Sequence, residues 1–146
     1  MKLIKRKLAE KIKELSHYYP VLVITGPRQS GKTTLAKDLF PDYSYVNLEK
    51  PETLGLAMND PKEFLELGSG KKMIIDEAQR FPDIFSYIQA EVDEQKIPGQ
   101  FVLTGSQNLN LSAKVSQSLA GRSGNFVLTP ITIRELKRIV DPKSDP

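Results

Sequence analysis

The sequence contains no cysteine. Disulfides and thiolate-held metals are therefore excluded, and nothing calls for an oxidising compartment, so the cytoplasm is the expected location. No apolar run approaches the roughly 18 residues of a membrane-spanning helix, and the N-terminus lacks the uninterrupted apolar core of a signal peptide. A membrane is not an expected partner. Histidine occurs once, as His17, near a helix end where it reads as exposed and structural rather than catalytic. There is no internal repeat, no low-complexity segment and no N-K-x-D pattern of the kind that selects guanine.

What is present is ordinary in composition. The 146 residues are 39% hydrophobic and 27% charged, about one domain's worth of a globular protein. The net charge of +3 is unevenly placed. Residues 1–20 hold Lys2, Lys5, Arg6, Lys7, Lys11 and Lys13 against Glu10 and Glu14, a balance of +4 that leaves about −1 elsewhere. In the same segment Ile4, Leu8, Ile12 and Leu15 recur at helical spacing. The expectation is a helix packed by this stripe with its lysine face in solvent; contact with nucleic acid or an anionic membrane is the functional alternative.

Val21 to Thr25 is a β-branched apolar run without alternation, the pattern of a strand buried on both faces. A glycine-rich loop follows, then a helix stopped by Pro41. Further strands are predicted at Tyr43–Leu48, Lys72–Asp76, Phe101–Thr104 and Phe126–Leu128. Between them lie a short helical region with Asp60 as cap, Pro61 at the first helical position and Glu63 completing a box-like arrangement, then a helix carrying Ile84, Phe85, Ile88 and Val92 and ending at Pro98-Gly99, and a helix over Leu109–Leu119. Thr132 and Glu135 predict a last helix halted at Asp141-Pro142. Regular alternation of strands and helices predicts an α/β fold, a parallel sheet with helices on both faces.

The chemistry concentrates in the loop. Gly26-Pro27-Arg28-Gln29-Ser30-Gly31-Lys32-Thr33 fits the phosphate-loop pattern G-x-x-x-x-G-K-[ST], between a buried strand and a helix, and Thr34 continues it. The glycines let successive backbone N–H groups face a phosphate, and the helix adds the positive end of its dipole. Lys32 is expected to reach the β and γ phosphates of ATP, and the Thr33 hydroxyl to coordinate Mg²⁺. The strand Met73-Ile74-Ile75 ends in Asp76-Glu77, at the sheet edge where open α/β folds bind ligands. Asp76 is assigned to the magnesium and Glu77 to the attacking water. After the fourth predicted strand, Thr104-Gly105-Ser106-Gln107-Asn108 offers small polar side chains. Ser106 is the preferred holder of the water or sensor of the γ-phosphate, with Thr104 and Gln107 behind it. Arg122, in Ala120-Gly121-Arg122, reads either as a surface side chain or as an arginine finger.

Taken together, GPRQSGKTT, MIIDEAQR, VLTGSQN and SLAGR resemble a family of archaeal and bacterial AAA-type ATPases that carry an uncharacterised C-terminal domain. The resemblance implies a P-loop NTPase three-layer sandwich of the additional-strand class, with sheet order 5-1-4-3-2. It implies Glu77 as catalytic glutamate, Ser106 as sensor, and Arg122 placed like the arginine that AAA proteins insert into a neighbour's site, hence a homo-oligomer. It also implies that this chain is the ATPase module of a longer protein: a basic helix at 1–20, the module at 21–140 and a linker at 141–146. The attached C-terminal domain or a protein partner, and DNA, are the associations it suggests. The leading functional expectation is an ATPase driving a partner domain, and the alternative is an ATP-dependent switch with little hydrolysis. A small-molecule kinase would need an acceptor pocket and an arginine-bearing lid that are not evident.

Overall fold

The computed structural model describes residues 2–27, 30–68, 70–106 and 109–128. Five strands, β1 (Val21–Thr25), β2 (Ser44–Asn47), β3 (Met73–Asp76), β4 (Phe101–Gly105) and β5 (Ser123–Val127), form one sheet. The strand order is β2-β3-β4-β1-β5 and every pairing is parallel, the order 5-1-4-3-2 read from its other end. Helix α1 (Lys2–Leu15) precedes the sheet, and the crossovers run through α2 (Lys32–Leu39), α3 (Pro51–Asn59), α4 (Pro61–Leu65), α5 (Ile84–Gln95) and α6 (Leu109–Ser118).

The uninterrupted apolar strands have the predicted cause, because successive residues bury on opposite faces. Val21, Val23, Met73, Ile75, Phe101 and Leu103 pack with Ala57, Phe64, Leu65, Phe85 and Ile88 of α3, α4 and α5. Leu22, Ile24, Ile74 and Val102 pack on the other face with Ile12 of α1 and Leu35 and Ala36 of α2. Three layers result, α/β/α. Helix α1 docks by its stripe: Ile12 is fully buried, Leu8 and Leu15 pack beside it, and Lys7, Lys11 and Lys13 stay exposed, as does His17. The Asp60 side chain caps α4 by accepting from the Glu63 N–H at 3.1 Å. Among the described residues no helix is long and apolar enough to cross a membrane.

The single short helical region expected between Pro51 and Leu67 is two helices, α3 and α4, separated at Asp60; most strand and helix ends differ from the sequence reading by a residue, and two differ by more. Strand β5 starts at Ser123 rather than Phe126, because parallel pairing with β1 draws the polar stretch Ser123-Gly124-Asn125 into an edge strand that has a neighbour on one side only. Helix α5 stops at Gln95, with Lys96 in the left-handed region at φ 55°, before Pro98-Gly99 is reached. The helix expected from Thr132 and Glu135, and the linker at 141–146, lie outside the described residues.

Candidate functional site

Parallel strands bring the C-terminal ends of β1, β3 and β4 to one edge of the sheet, and the glycine-rich loop leaves β1 there. The Gly26 N–H donates to the Gly105 carbonyl of β4 at 3.2 Å. A Cβ at position 26 would lie 2.7 Å from the Leu128 carbonyl oxygen and 2.9 Å from Ser30 Oγ, so the loop is seated against backbone too closely for any side chain. Gly31, at φ +87°, makes the left-handed turn into α2 that other residues adopt only with strain. No side chain caps α2, so its first N–H groups and its dipole remain available to an anion. Ser30 Oγ is buried without a hydrogen-bond partner among the described residues. Arg28 and Gln29 lie outside the described residues, Pro27 meets the lysine through its carbonyl, and Thr34 is exposed on α2.

Lys32 is 4% exposed, unusual for a lysine, and its Nζ donates to the Pro27 carbonyl at 3.2 Å while lying 3.9 Å from Glu77 Oε1. Asp76 is equally buried and is held by hydroxyls from three elements. Thr33 Oγ1 lies 3.1 Å from both of its carboxylate oxygens, the Tyr45 hydroxyl donates to Oδ2, and the Thr104 hydroxyl donates to Oδ1. Burial, and then the hydrogen bond to Asp76, hold the Tyr45 hydroxyl well above the ordinary phenol range, so it stays protonated and remains a donor.

Glu77 is also buried, with φ 58° and ψ 46° in the left-handed region. For a non-glycine residue this backbone is strained by about 1–3 kcal/mol. It turns the chain out of β3 into a single helical turn, Ala78–Arg80. The Glu77 N–H reaches Thr104 Oγ1 at 3.4 Å, and Gln79 Nε2 donates to Glu77 Oε2 at 2.6 Å. The other end of that carboxamide, Gln79 Oε1, accepts from the Ser106 N–H at 3.3 Å.

Lys32, Thr33, Asp76 and Glu77 therefore meet as the spacing predicts. At the end of β4 the emphasis changes: the Thr104 hydroxyl reaches Asp76, while Ser106 is joined to the site through its backbone. Gln107 lies outside the described residues. Arg122 is not brought to this site. It precedes β5 at the opposite sheet edge, its carbonyl accepting from the Val21 N–H at the start of β1, and a five-residue strand separates it from the loop. Its guanidinium is held by Asp93, Nε to Oδ1 at 2.7 Å and Nη2 to Oδ2 at 2.9 Å, away from its own chain's loop. Two site residues escaped the sequence reading, Tyr45 and Gln79. Gln79 carried a weak signal in its place two residues after Glu77, and Tyr45 carried none.

The arrangement can cradle a phosphorylated ligand on backbone N–H groups, neutralise it with a buried ammonium, and set two carboxylates beside it. Residues 18–137 match the AAA domain family. Two uncharacterised proteins, one from Mycobacterium bovis and one from Mycobacterium tuberculosis, are each 36% identical over 135 residues, covering 90% of this chain and 30% of the relative. The chain thus spans about 30% of the length of these curated relatives. Among solved structures, a Signal Transduction ATPase with Numerous Domains (STAND) protein with a tetratricopeptide repeat sensor from Pyrococcus horikoshii shares the fold, at a TM-score of 0.53 and 17% identity over 94% of this chain and 25% of that one. C. elegans PCH-2 gives a TM-score of 0.49 at 16% identity over 93% of this chain and 48% of that one. With its parallel sheet, its glycine-rich loop and this match over most of its length, the chain belongs to the AAA domain family, as an AAA-type P-loop, nucleotide-binding and ATPase-like module.

Proposed function

We propose that the chain binds ATP with Mg²⁺ at the loop and hydrolyses it, driving a conformational change in an attached domain or partner. The observation that carries this reading is the convergence of buried Lys32, Asp76 and Glu77 on the loop that Gly26 and Gly31 shape. The residues present fit both groups. Among the described residues Ser30 Oγ lacks a partner and no side chain caps the adjacent helix start, which suits a phosphate oxygen, and Thr33 and Asp76 offer oxygen ligands only, which suits a hard cation.

The backbone N–H groups at the start of α2, from Gly31 to Thr34, would receive the phosphates. Lys32 would exchange the Pro27 carbonyl and Glu77 for β- and γ-phosphate oxygens, which frees Glu77 Oε1. Thr33 and Asp76 would hold Mg²⁺, which supplies neutralisation of phosphate charge when bound. Glu77 would accept a proton from water as that oxygen bonds to the γ-phosphorus and the bridging oxygen leaves with ADP. Ser106 would hold the attacking water or sense the γ-phosphate, with Thr104 behind it. Arg122 would act on a neighbouring subunit's nucleotide in a homo-oligomer, since it cannot reach its own.

Two substitutions separate binding from chemistry. Lys32→Ala removes a charge-assisted contact of about 1.5–3 kcal/mol, so calorimetry should show ATP affinity falling at least about tenfold. Glu77→Gln keeps shape but loses the proton acceptor, so turnover should drop about 100-fold while binding persists. Equal affinity in a folded Lys32→Ala protein would overturn the phosphate role. An undiminished rate in Glu77→Gln would favour the switch alternative.

A further inference from the structure

Glu77 carries its carboxylate on three rotatable bonds, and a proton acceptor that drifts by an ångström loses about 100-fold in rate. Its aim depends on what grips it. Lys32 is one neighbour, but a lysine that leaves for phosphate cannot also hold the carboxylate. Gln79 is the other. It stands on the turn after Glu77 and is half-buried, and its Nε2 lies 2.6 Å from Glu77 Oε2, which leaves Oε1 turned toward Lys32.

The orientation of this carboxamide is determined at both ends. A carboxylate only accepts, so the NH₂ group must face Glu77; an amide N–H only donates, so the carbonyl must face Ser106. Flipping the group would break both bonds together. The Ser106 N–H is the last described donor at the end of β4, and the preceding residue, Gly105, accepts from Gly26 of the phosphate loop at 3.2 Å. A continuous path of hydrogen bonds and one peptide link runs from the loop through the end of β4 and Gln79 to the carboxylate.

We propose that Gln79 is a positioning residue, whose carboxamide sets the Glu77 carboxylate in register with the phosphate loop by clamping it to the end of β4. This rests on the ATPase reading. As Lys32 moves to the phosphates, Gln79 remains the group that holds Glu77, so the carboxylate follows displacements of the β4 end rather than turning freely. A carboxylate at position 79 cannot do this, because it would retain the acceptor for Ser106 and repel Glu77. A thioether of similar length retains neither bond.

The test uses the full chain with Gln79→Met, Gln79→Glu, Glu77→Gln and the double variant Glu77→Gln/Gln79→Met. Turnover and the Kd for Mg²⁺·ATP are measured, with hydrogen exchange at the Ser106 amide followed by NMR. Gln79→Met should lower turnover tenfold or more with Kd within twofold of the parent. The double variant should turn over within twofold of Glu77→Gln alone, since Gln79 acts only through Glu77. Ser106 exchange should accelerate in Gln79→Met and stay slow in Gln79→Glu, although both lose turnover. Parental turnover in Gln79→Met, or losses that multiply in the double variant, would overturn the proposal. Should Gln79→Met not fold, Gln79→Glu decides by its turnover, and an undiminished rate overturns the proposal equally. If the parent binds Mg²⁺·ATP without hydrolysing it, the ATPase reading fails by itself. The exchange arm, which needs no nucleotide, then still decides the clamp, and unchanged Ser106 exchange in Gln79→Met overturns it.

Discussion

Glu91 sits on the buried face of α5, in line with Ile84, Phe85, Ile88 and Val92, at 3% exposure and with no hydrogen-bond partner for Oε1 among the described residues. Burial pushes its carboxyl above the usual range, with Glu66 and Glu94 adding and Lys71 and Lys62 opposing. The sign follows. A carboxyl whose folded value is raised favours the folded state fully below its ordinary value near 4.5, and that contribution is lost as pH rises through the folded value. Glu91→Gln, which never ionises, should therefore be more stable than the parent by about 1 kcal/mol at pH 8, with the difference shrinking toward zero by about pH 4. Urea unfolding at the two pH values checks this, and a constant gap would remove ionisation as the cause. The same scale shows what a linear reading reaches. Lys32, Thr33, Asp76 and Glu77 were legible because each belongs to a local pattern whose spacing states its chemistry. Tyr45 was not, since a tyrosine in Ser44-Tyr45-Val46-Asn47 reads as strand packing until β2 is known to lie beside β3. Gln79 was hidden because its meaning depends on Ser106, brought near by the β3–β4 pairing.

At the scale of elements, the loop is held less by its own residues than by the strand ends beneath it. Gly26 rests on the Leu128 carbonyl, just past β5, and Leu128 in turn donates its N–H to the Thr25 carbonyl at 2.7 Å. Gly26→Ala must push backbone apart, so it should destabilise the fold by about 1–3 kcal/mol and weaken ATP binding as well. Gly55→Ala on α3, where an added Cβ meets nothing within 4 Å, should be neutral or stabilising by up to about 1 kcal/mol. Thermal unfolding and ATP titration of the pair measure this, and equal behaviour would mean that the loop moves freely over β5. The central strands were legible as apolar runs buried on two faces. The start of β5 was not, because Ser123-Gly124-Asn125 has no strand propensity and pairs only because β1 supplies a partner.

For the whole molecule, the sheet order separates two sets of candidate residues that the sequence places in one list. The loop occupies the edge where β1, β3 and β4 end, and Arg122 the edge where β1 and β5 begin. Asp93 holds the guanidinium there, and Arg122 in turn keeps the Asp93 carboxyl below its usual range. If Arg122 serves a neighbour, an Arg122→Ala subunit keeps a working loop and a Lys32→Ala subunit keeps a working arginine. Mixing the two inactive proteins should then restore hydrolysis at hybrid interfaces, by the fork geometry that suits arginine to phosphate. Mixtures that stay inactive while sedimentation shows co-assembly would assign Arg122 to the Asp93 contact alone. The same topology orders events during synthesis. Val21 of β1 is made early, yet its sheet partners are Phe101 of β4 and Ser123 of β5, so a nascent chain carries β1 and its glycine-rich loop without neighbours until most of the domain has left the ribosome. The loop acquires its floor only when Gly105 and then Leu128 have arrived, and from that moment nucleotide can begin to select the folded chain from the unfolded one.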